Sequence, residues 1–253
     1  MNSHTFWALV RHEFTCKGNR RKLSRSQSTI QWRAIYLTIL ALFGAGTAVY
    51  YAVHGQLPLQ KLWLVAIGFP YILLALAVAM LKREWDNETH GWWLTLPYSR
   101  MALVGAKFVA AWLRVAAVCA GAFVLILLFA GMIALLLAPY TSADVLSTLL
   151  TGLNVILIVI GYGPLILSFG LMLATMSYTT LRPFTPLLWI GVMICLSMFY
   201  NGIHVLFPQS FPGQLHLLFP YSWAVWAGMG ISWIAAYLLI RFSAWMLDRK
   251  LTI

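Results

Sequence analysis

The chain has 253 residues, of which 62% are hydrophobic and only 9% are charged, and its formal net charge is +11. A soluble domain is about 45–50% apolar and about 25% charged, so this composition excludes a water-soluble fold for most of the chain. Cys16, Cys119 and Cys195 lack the spacing of a disulfide framework or a metal site. Lipid must therefore be the solvent for much of the molecule.

The first predicted element is a short amphipathic helix near the N-terminus. Four apolar side chains fall on one side of it: Phe6, Trp7, Val10 and Phe14. The pattern predicts an interfacial elbow helix that lies flat at the membrane surface, with the basic run 17–25 against anionic lipid headgroups. The alternative is an anchor that only sets the orientation of the chain.

Six stretches follow that reach the roughly 20 apolar residues a spanning helix needs. They cover approximately residues 34–53, 62–81, 115–137, 148–173, 184–207 and 223–240. None alternates polar and apolar residues as the strands of a membrane barrel do. The sequence therefore predicts an all-α integral membrane protein, with one transmembrane domain over residues 1–253 and six spanning helices.

Basic residues predict the orientation of these spans. Of the 17 Lys and Arg residues, Lys61 alone falls on the side opposite the N-terminus. Under the positive-inside rule, this asymmetry places both termini in the cytoplasm of a multi-pass cell-membrane protein. It also accounts for the net positive charge without a nucleic-acid partner.

The outer segment between spans five and six, His204–Tyr221, contains three prolines and many apolar residues. It is too rich in proline for a continued helix and too apolar for a solvated loop. Two interpretations stay open, a re-entrant segment and an aromatic belt at the membrane surface.

The cytoplasmic stretch Lys82–Lys107 is the strongest candidate for a docking surface. The candidate contact residues in this stretch are Glu84, Asp86, Glu88, Gly91, Trp92, Trp93, Leu94 and Leu96. A simple connector would seldom expose two adjacent tryptophans to water, whereas a binding hot spot uses aromatic anchors with polar surroundings. Ser99 is a suitable N-cap for the helix that begins near Arg100.

Span four contains the candidate translocation-path residues Asn154, Gly161 and Gly163, the last two beside Pro164. These residues either line a path or interrupt and bend the helix. Ionisable groups are otherwise almost absent from the spans, which argues against an embedded enzyme and against a proton-coupled carrier. Lys107 and Arg114 are expected to reach outward to the headgroups.

The docking stretch also resembles a family signature. The run Glu88–Gly91 (ETHG) precedes Leu94–Arg100 (LTLPYSR), and Lys107 follows early in the third span. This order resembles the permease subunit of type-2 ABC exporters, as does the layout of elbow helix, six spans and proline-rich outer segment. The pair Trp92-Trp93 departs from the commonest form of the signature and leaves the subfamily open.

The resemblance implies a membrane subunit, from a bacterium, that pairs with a second permease subunit, identical or related, and with two cytosolic ABC ATPase subunits. A cytoplasmic coupling helix within Glu84–Leu96 would sit in a cleft of the ATPase, whose ATP-driven closure would expose the substrate path outward. The chain has no G-x-x-x-x-G-K-[ST] loop, so no cofactor is expected on it, and ATP and Mg²⁺ belong to the ATPase.

The polarity of the interior predicts an amphiphilic substrate, such as a drug, a peptide or a lipid, without identifying it. A second hypothesis comes from another class of protein. In it the chain is a membrane scaffold or immunity-type protein that binds a peptide or a partner without transport.

Overall fold

The structure is a computed structural model that describes residues 3–15, 23–137, 139–204 and 223–249. These residues form helices and turns, with no strand among them. The helices are α1 (Ser3–Thr15), α2 (Leu23–Val53), α3 (Phe69–Asp86), α4 (His90–Thr95), α5 (Arg100–Leu136), α6 (Ser142–Met176), α7 (Thr185–His204) and α8 (Trp223–Arg249). Short 3₁₀ segments, Leu59–Gly68 and Arg182–Phe184, precede α3 and α7.

Within the described part of the chain, five helical segments are long and apolar enough to cross a membrane. They are Leu59–Asp86, Arg100–Leu136, Ser142–Met176, Arg182–Asn201 and Trp223–Arg249. A shorter apolar stretch, Leu42–Val53, lies in α2, where the first span was predicted. The all-α integral membrane fold is confirmed, while the exact span bounds and the number six stay predictions.

Helix α6 is the centre of the bundle and is the most buried of the five segments. It packs against α3, α5, α7 and α8. Its contact with α3 depends on a missing side chain, because a Cβ at Gly170 would lie 2.6 Å from the Cβ of Ala77 and 3.0 Å from the carbonyl oxygen of Leu74. A small residue at this crossing lets the two backbones approach closely.

The predicted interruption of span four is wrong, because α6 continues through Pro164. A proline inside a helix removes the hydrogen bond to the carbonyl four residues earlier, here that of Ile160. The indole Nε1 of Trp233 in α8 donates to this carbonyl oxygen at 3.2 Å. The neighbouring helix thus satisfies the group that the proline leaves free, as continuous proline-containing helices require in lipid.

The two ends of the bundle differ in charge. One end carries α1, α4 and basic side chains that include Lys82, Arg100 and Lys107; we call it the basic end. At the other end, the first turn of α6 contains Asp144, whose carboxylate accepts a hydrogen bond from the backbone nitrogen of Thr141 at 2.8 Å. The predicted re-entrant or interfacial segment falls almost wholly on residues 205–222, which lie outside the described residues, so it stays a prediction.

Candidate functional site

Helix α1 is the element predicted as an elbow, and it packs against α5 at the basic end. Val10 is buried and Phe6 is half-buried, whereas Trp7 is 57% exposed and Phe14 is 41% exposed. The apolar side of α1 is thus divided between the protein and its surroundings. A position at the membrane surface suits this division and stays a prediction.

Arg114 of α5 fixes the end of α1. Its guanidinium donates to the carbonyl oxygens of Glu13 at 2.6 Å and Phe14 at 2.9 Å. The last carbonyls of a helix lack partners within the helix, and a cation there also complements the helix dipole. Arg114 therefore holds α1 onto α5 and does not simply reach toward headgroups as its position in the sequence predicts.

The Lys107 node, formed by Lys107, Glu13 and Glu84, is the main polar feature of the basic end. The Nζ of Lys107 lies 2.7 Å from Oε1 of Glu13 and 2.7 Å from Oε1 of Glu84. The lysine side chain is 0% exposed, so the predicted extension to the headgroups is wrong. Trp93 of α4 completes the surroundings of this lysine, with its ring centroid 5.0 Å from Nζ.

The node joins four elements, because Glu13 lies in α1, Glu84 in α3, Trp93 in α4 and Lys107 in α5. A buried lysine is stable only with compensating charge, which the two carboxylates supply. Removing Lys107 would leave the two carboxylates facing each other without a cation, whereas removing one glutamate would leave a single ion pair. The ion pairs therefore oblige these elements to keep their relative positions.

The turn between α3 and α4 continues this connection. Oε2 of Glu84 accepts a hydrogen bond from Oγ1 of Thr89 at 2.6 Å, and the backbone nitrogen of Thr89 donates to the Glu84 carbonyl at 2.9 Å. Glu88 has a φ of 58°, in the left-handed region that residues other than glycine and asparagine seldom adopt. This tight reversal sets the direction in which α4 leaves α3.

The predicted docking stretch is therefore divided among several elements. Glu84 and Asp86 belong to the end of α3, Glu88 to the turn, and Leu96 follows α4. Helix α4 itself carries Gly91, Trp92, Trp93 and Leu94. The acidic residues of this stretch thus do not lie on the short helix that resembles the coupling helix.

The two tryptophans of α4 do not form the exposed pair that the sequence predicts. Trp93 is only 4% exposed and packs into the main core, so its predicted exposure is wrong. The side chain of Trp92 lies outside the described residues. Leu94 and Leu96 are half-buried against the same core, whereas Gly91 and Thr95 are exposed. The outward side of α4 is therefore near Gly91 and Thr95, and its inward side is anchored by Trp93.

A second feature, the Trp85 stack, connects α3 and α4 to the turn after α6. The Trp85 ring lies between His90, with centroids 5.6 Å apart, and Tyr178, with centroids 4.2 Å apart, and both pairs are nearly parallel. Burial raises the pKa of the Tyr178 phenol, and the carboxylate of Asp86 raises it further. No pattern in the sequence indicates Trp85 or Tyr178, because their contact spans 93 positions of the chain.

Arg100 links the far end of α4 to α8. Its guanidinium donates to the carbonyl of Leu94, and its Nε lies 4.0 Å from Oδ1 of Asp248. The predicted N-cap at Ser99 is confirmed, since its Oγ accepts a hydrogen bond from the backbone nitrogen of Ala102 at 3.3 Å. Helix α4 is thus held at both ends and on its inward side.

A cavity of about 310 Å³ lies between α1 and α4, beside the Lys107 node. Its lining includes the node carboxylates Glu13 and Glu84, together with His12, Leu9 and Trp93. An apolar cleft with a few convergent charged groups is suited to receiving a protruding side chain of a partner.

The candidate path residues lie in the packed centre of α6. Asn154 is 1% exposed. A Cβ at Gly161 would lie 2.3 Å from Cγ of Met229, and one at Gly163 would lie 2.9 Å from Cζ3 of Trp112. The two glycines are therefore contact points between helices in this structure. A role of the three residues in a translocation path stays a prediction.

A family model described as "ABC-2 family transporter protein" matches residues 10–237 of the chain. The matched range includes the C-terminal part of α1 from Val10 onward, the Lys107 node, the Trp85 stack and all of α4. Neither the curated proteins nor the solved structures include a match to the chain.

Proposed function

Because the chain belongs to the ABC-2 family of transporter proteins, we propose that it is the membrane subunit of an ATP-driven exporter that moves an amphiphilic substrate outward. A separate pair of cytosolic ABC ATPase subunits binds ATP and Mg²⁺ and hydrolyses the ATP. A second permease subunit, identical or related, completes the complex. The chain itself catalyses no reaction in this proposal.

The observation that carries this proposal is that α4 is exposed on one side and packed against the core on the other. The helix has an outward side at Gly91 and Thr95, and its inward Trp93 rests on the buried Lys107 node. A short helix with an accessible side and a rigidly anchored rear is suited to receiving force from a partner. Preformed surfaces of this kind bind without a large ordering cost.

The Lys107 node would pass such a force from α4 to the helices around it. Displacement of α4 moves Trp93 against Lys107, and the two ion pairs of Lys107 carry the displacement to α1 through Glu13 and to α3 through Glu84. Lys107 also belongs to α5, a 37-residue helix that reaches the other end of the bundle. Packed helices and paired charges of this kind transmit small shifts as rigid-body motion.

Two further contacts extend the connection to the remaining helices. The Trp85 stack reaches the turn between α6 and α7, and Arg100 reaches α8 through Asp248. ATP-driven closure of the ATPase pair would thereby tilt the spans together. In this proposal the basic end lies in the cytoplasm of a bacterial cell, as the positive-inside rule predicts.

Substitution of Gly91 by arginine tests the docking role of α4. No atom lies within 4 Å of a Cβ at Gly91, so the fold accommodates a side chain there, whereas a docked ATPase would meet it. We expect Gly91→Arg to reduce co-purification of the ATPase at least roughly tenfold, the effect of losing a central contact of a hot spot. The measurement is quantitative mass spectrometry of complexes purified from native membranes.

The matched control is Gln56→Arg, an exposed position at the opposite end of the bundle, which should leave co-purification unchanged. Both variants should reach the membrane in wild-type amounts. Equal ATPase recovery with Gly91→Arg and with wild type would contradict docking on α4. Recovery of a partner without an ATPase motif would instead favour the scaffold hypothesis.

A further inference from the structure

A groove with two basic side chains lies at the basic end, on a side of the bundle separate from the Lys107 node. It has a volume of about 400 Å³. Its lining comes from α3, α6, the turn after α6 and the 3₁₀ turn before α7: Val78, Lys82, Ala174, Ser177, Tyr178 and Arg182. The proposed coupling path uses one of these residues, Tyr178, and leaves the other five without a role.

The groove changes in polarity along its length. Val78 and Lys82 are four residues apart and therefore lie on one face of α3. Ala174 and Tyr178 have the same spacing across the end of α6. The floor at Val78 and Ala174 is apolar, and the rim at Lys82, Tyr178 and Arg182 is polar. An apolar floor beside a polar rim matches a molecule with an apolar tail and a polar head.

The positive charge on the rim of the groove indicates which kind of polar head group would bind there. Lys82 and Arg182 are both exposed, and among the described residues neither side chain has a carboxylate within ion-pair distance. The residues that line the groove include no acid. Two cations that line one groove, with no acid among the lining residues, attract an anion, and arginine in particular matches phosphate geometry.

We propose that this groove binds an anionic phospholipid, with its phosphate between Lys82 and Arg182 and an acyl chain along Val78 and Ala174. Both basic residues stand where spans end at the basic end, which is the depth of lipid headgroups. A free phosphate would use the rim alone and leave the apolar floor uncovered. The combination of the two surfaces therefore favours a lipid over a soluble anion.

The bound lipid would also touch the coupling path. Tyr178 lines the groove and stacks on Trp85, which in turn stacks on His90 at the start of α4. An occupied groove would hold Tyr178 in place and so steady the Trp85 stack. The inference thus names a lipid that stabilises the position of α4, although lipid binding itself does not depend on the exporter proposal.

The test measures lipid retention by the full chain without any ATPase, so its outcome is independent of the proposed transport function. The chain is reconstituted in vesicles of phosphatidylcholine with a minor fraction of phosphatidylglycerol, extracted in detergent and analysed by native mass spectrometry. We expect wild type to retain phosphatidylglycerol selectively. Lys82→Gln/Arg182→Gln should reduce that retention on the order of tenfold, since each basic residue near an anionic headgroup contributes to binding.

Two controls separate this site from general charge effects. Arg11→Gln/Arg241→Gln removes two exposed charges elsewhere and should retain the lipid, as should the charge-preserving Lys82→Arg/Arg182→Lys. Equal retention by wild type and the glutamine variant would overturn the proposal. Displacement of the lipid by inorganic phosphate at matched concentration would also overturn it, in favour of a soluble anion.

Discussion

Replacement of Lys107 by methionine is expected to lower the apparent Tm of the purified chain by roughly 10 °C. The substitution keeps an unbranched apolar stem but leaves Glu13 and Glu84 facing each other without the cation that lies 2.7 Å from each. Breaking a buried ion pair by removing one partner costs about 3–5 kcal/mol, and in a chain of this size about 1 kcal/mol corresponds to a Tm shift of about 2–4 °C. Thermal unfolding of detergent-solubilised protein measures the effect.

A charge-neutral combination distinguishes the ion pairs from simple packing. Lys107→Met/Glu13→Gln/Glu84→Gln removes the unbalanced carboxylates and should recover most of the lost Tm. Arg241→Met, which removes an exposed charge near the same end, should change the Tm little. An unchanged Tm in Lys107→Met, or no recovery in the triple variant, would show that the node does not join the elements as described.

Replacement of Trp93 by alanine is expected to be the second most damaging change. Trp93 is 4% exposed, its ring lies 5.0 Å from the Lys107 ammonium, and its centroid lies 6.5 Å from that of Trp85. Truncation of a buried tryptophan costs about 3–5 kcal/mol, because it removes apolar contacts and leaves a cavity. We expect a lower Tm and faster proteolysis in the turn around Glu88, both measured on the purified chain.

Thr95→Ala on the exposed side of the same helix is the matched control and should change neither quantity. Trp93→Phe should retain part of the stability, since an aromatic ring still faces Lys107. If Trp93→Ala lost ATPase binding while keeping the wild-type Tm, the tryptophan would be an exposed anchor for the partner. That result would restore the interpretation that the sequence alone favours and would contradict its burial.

The spanning helices could be predicted because lipid imposes a simple requirement on composition. The long apolar run 148–173 falls within α6, and the run 115–137 lies in α5 except for its last residue. No knowledge of packing is needed to find such runs. Helix α5 begins at Arg100, as the N-cap at Ser99 predicts, although this start lies fifteen residues before the apolar run. In the additional length, Lys107 and Arg114 find partners within the protein.

The Lys107 node could not be predicted, because its members are distant in the sequence. Glu13 and Lys107 are separated by 94 positions and Glu84 and Lys107 by 23. A hydropathy pattern treats a lysine near the end of a span as solvated. Only the fold places both carboxylates beside it. For the same reason the sequence places Glu84 on a docking surface, because nothing in the sequence indicates that its partner is Lys107.

The roles of the glycines and the proline in α6 also could not be predicted from the sequence. Gly161 and Gly163 beside Pro164 read as an interruption of span four, yet Trp233 of α8 satisfies the carbonyl of Ile160 and the helix continues. A proline signal predicts the missing hydrogen bond but not its replacement by a neighbouring helix. The glycine signal likewise predicts freedom of the backbone, whereas the structure uses Gly161 for close contact with Met229.

Crosslinking in the membrane tests whether an ABC ATPase docks on the outward side of α4. A photoreactive amino acid at position 91, introduced into the full chain in its native membrane, should crosslink to a protein that carries a G-x-x-x-x-G-K-[ST] loop. The same group at position 56, exposed at the opposite end of the bundle, should not. Crosslinks from position 91 to lipid alone, or to a protein without that loop, would contradict the claim.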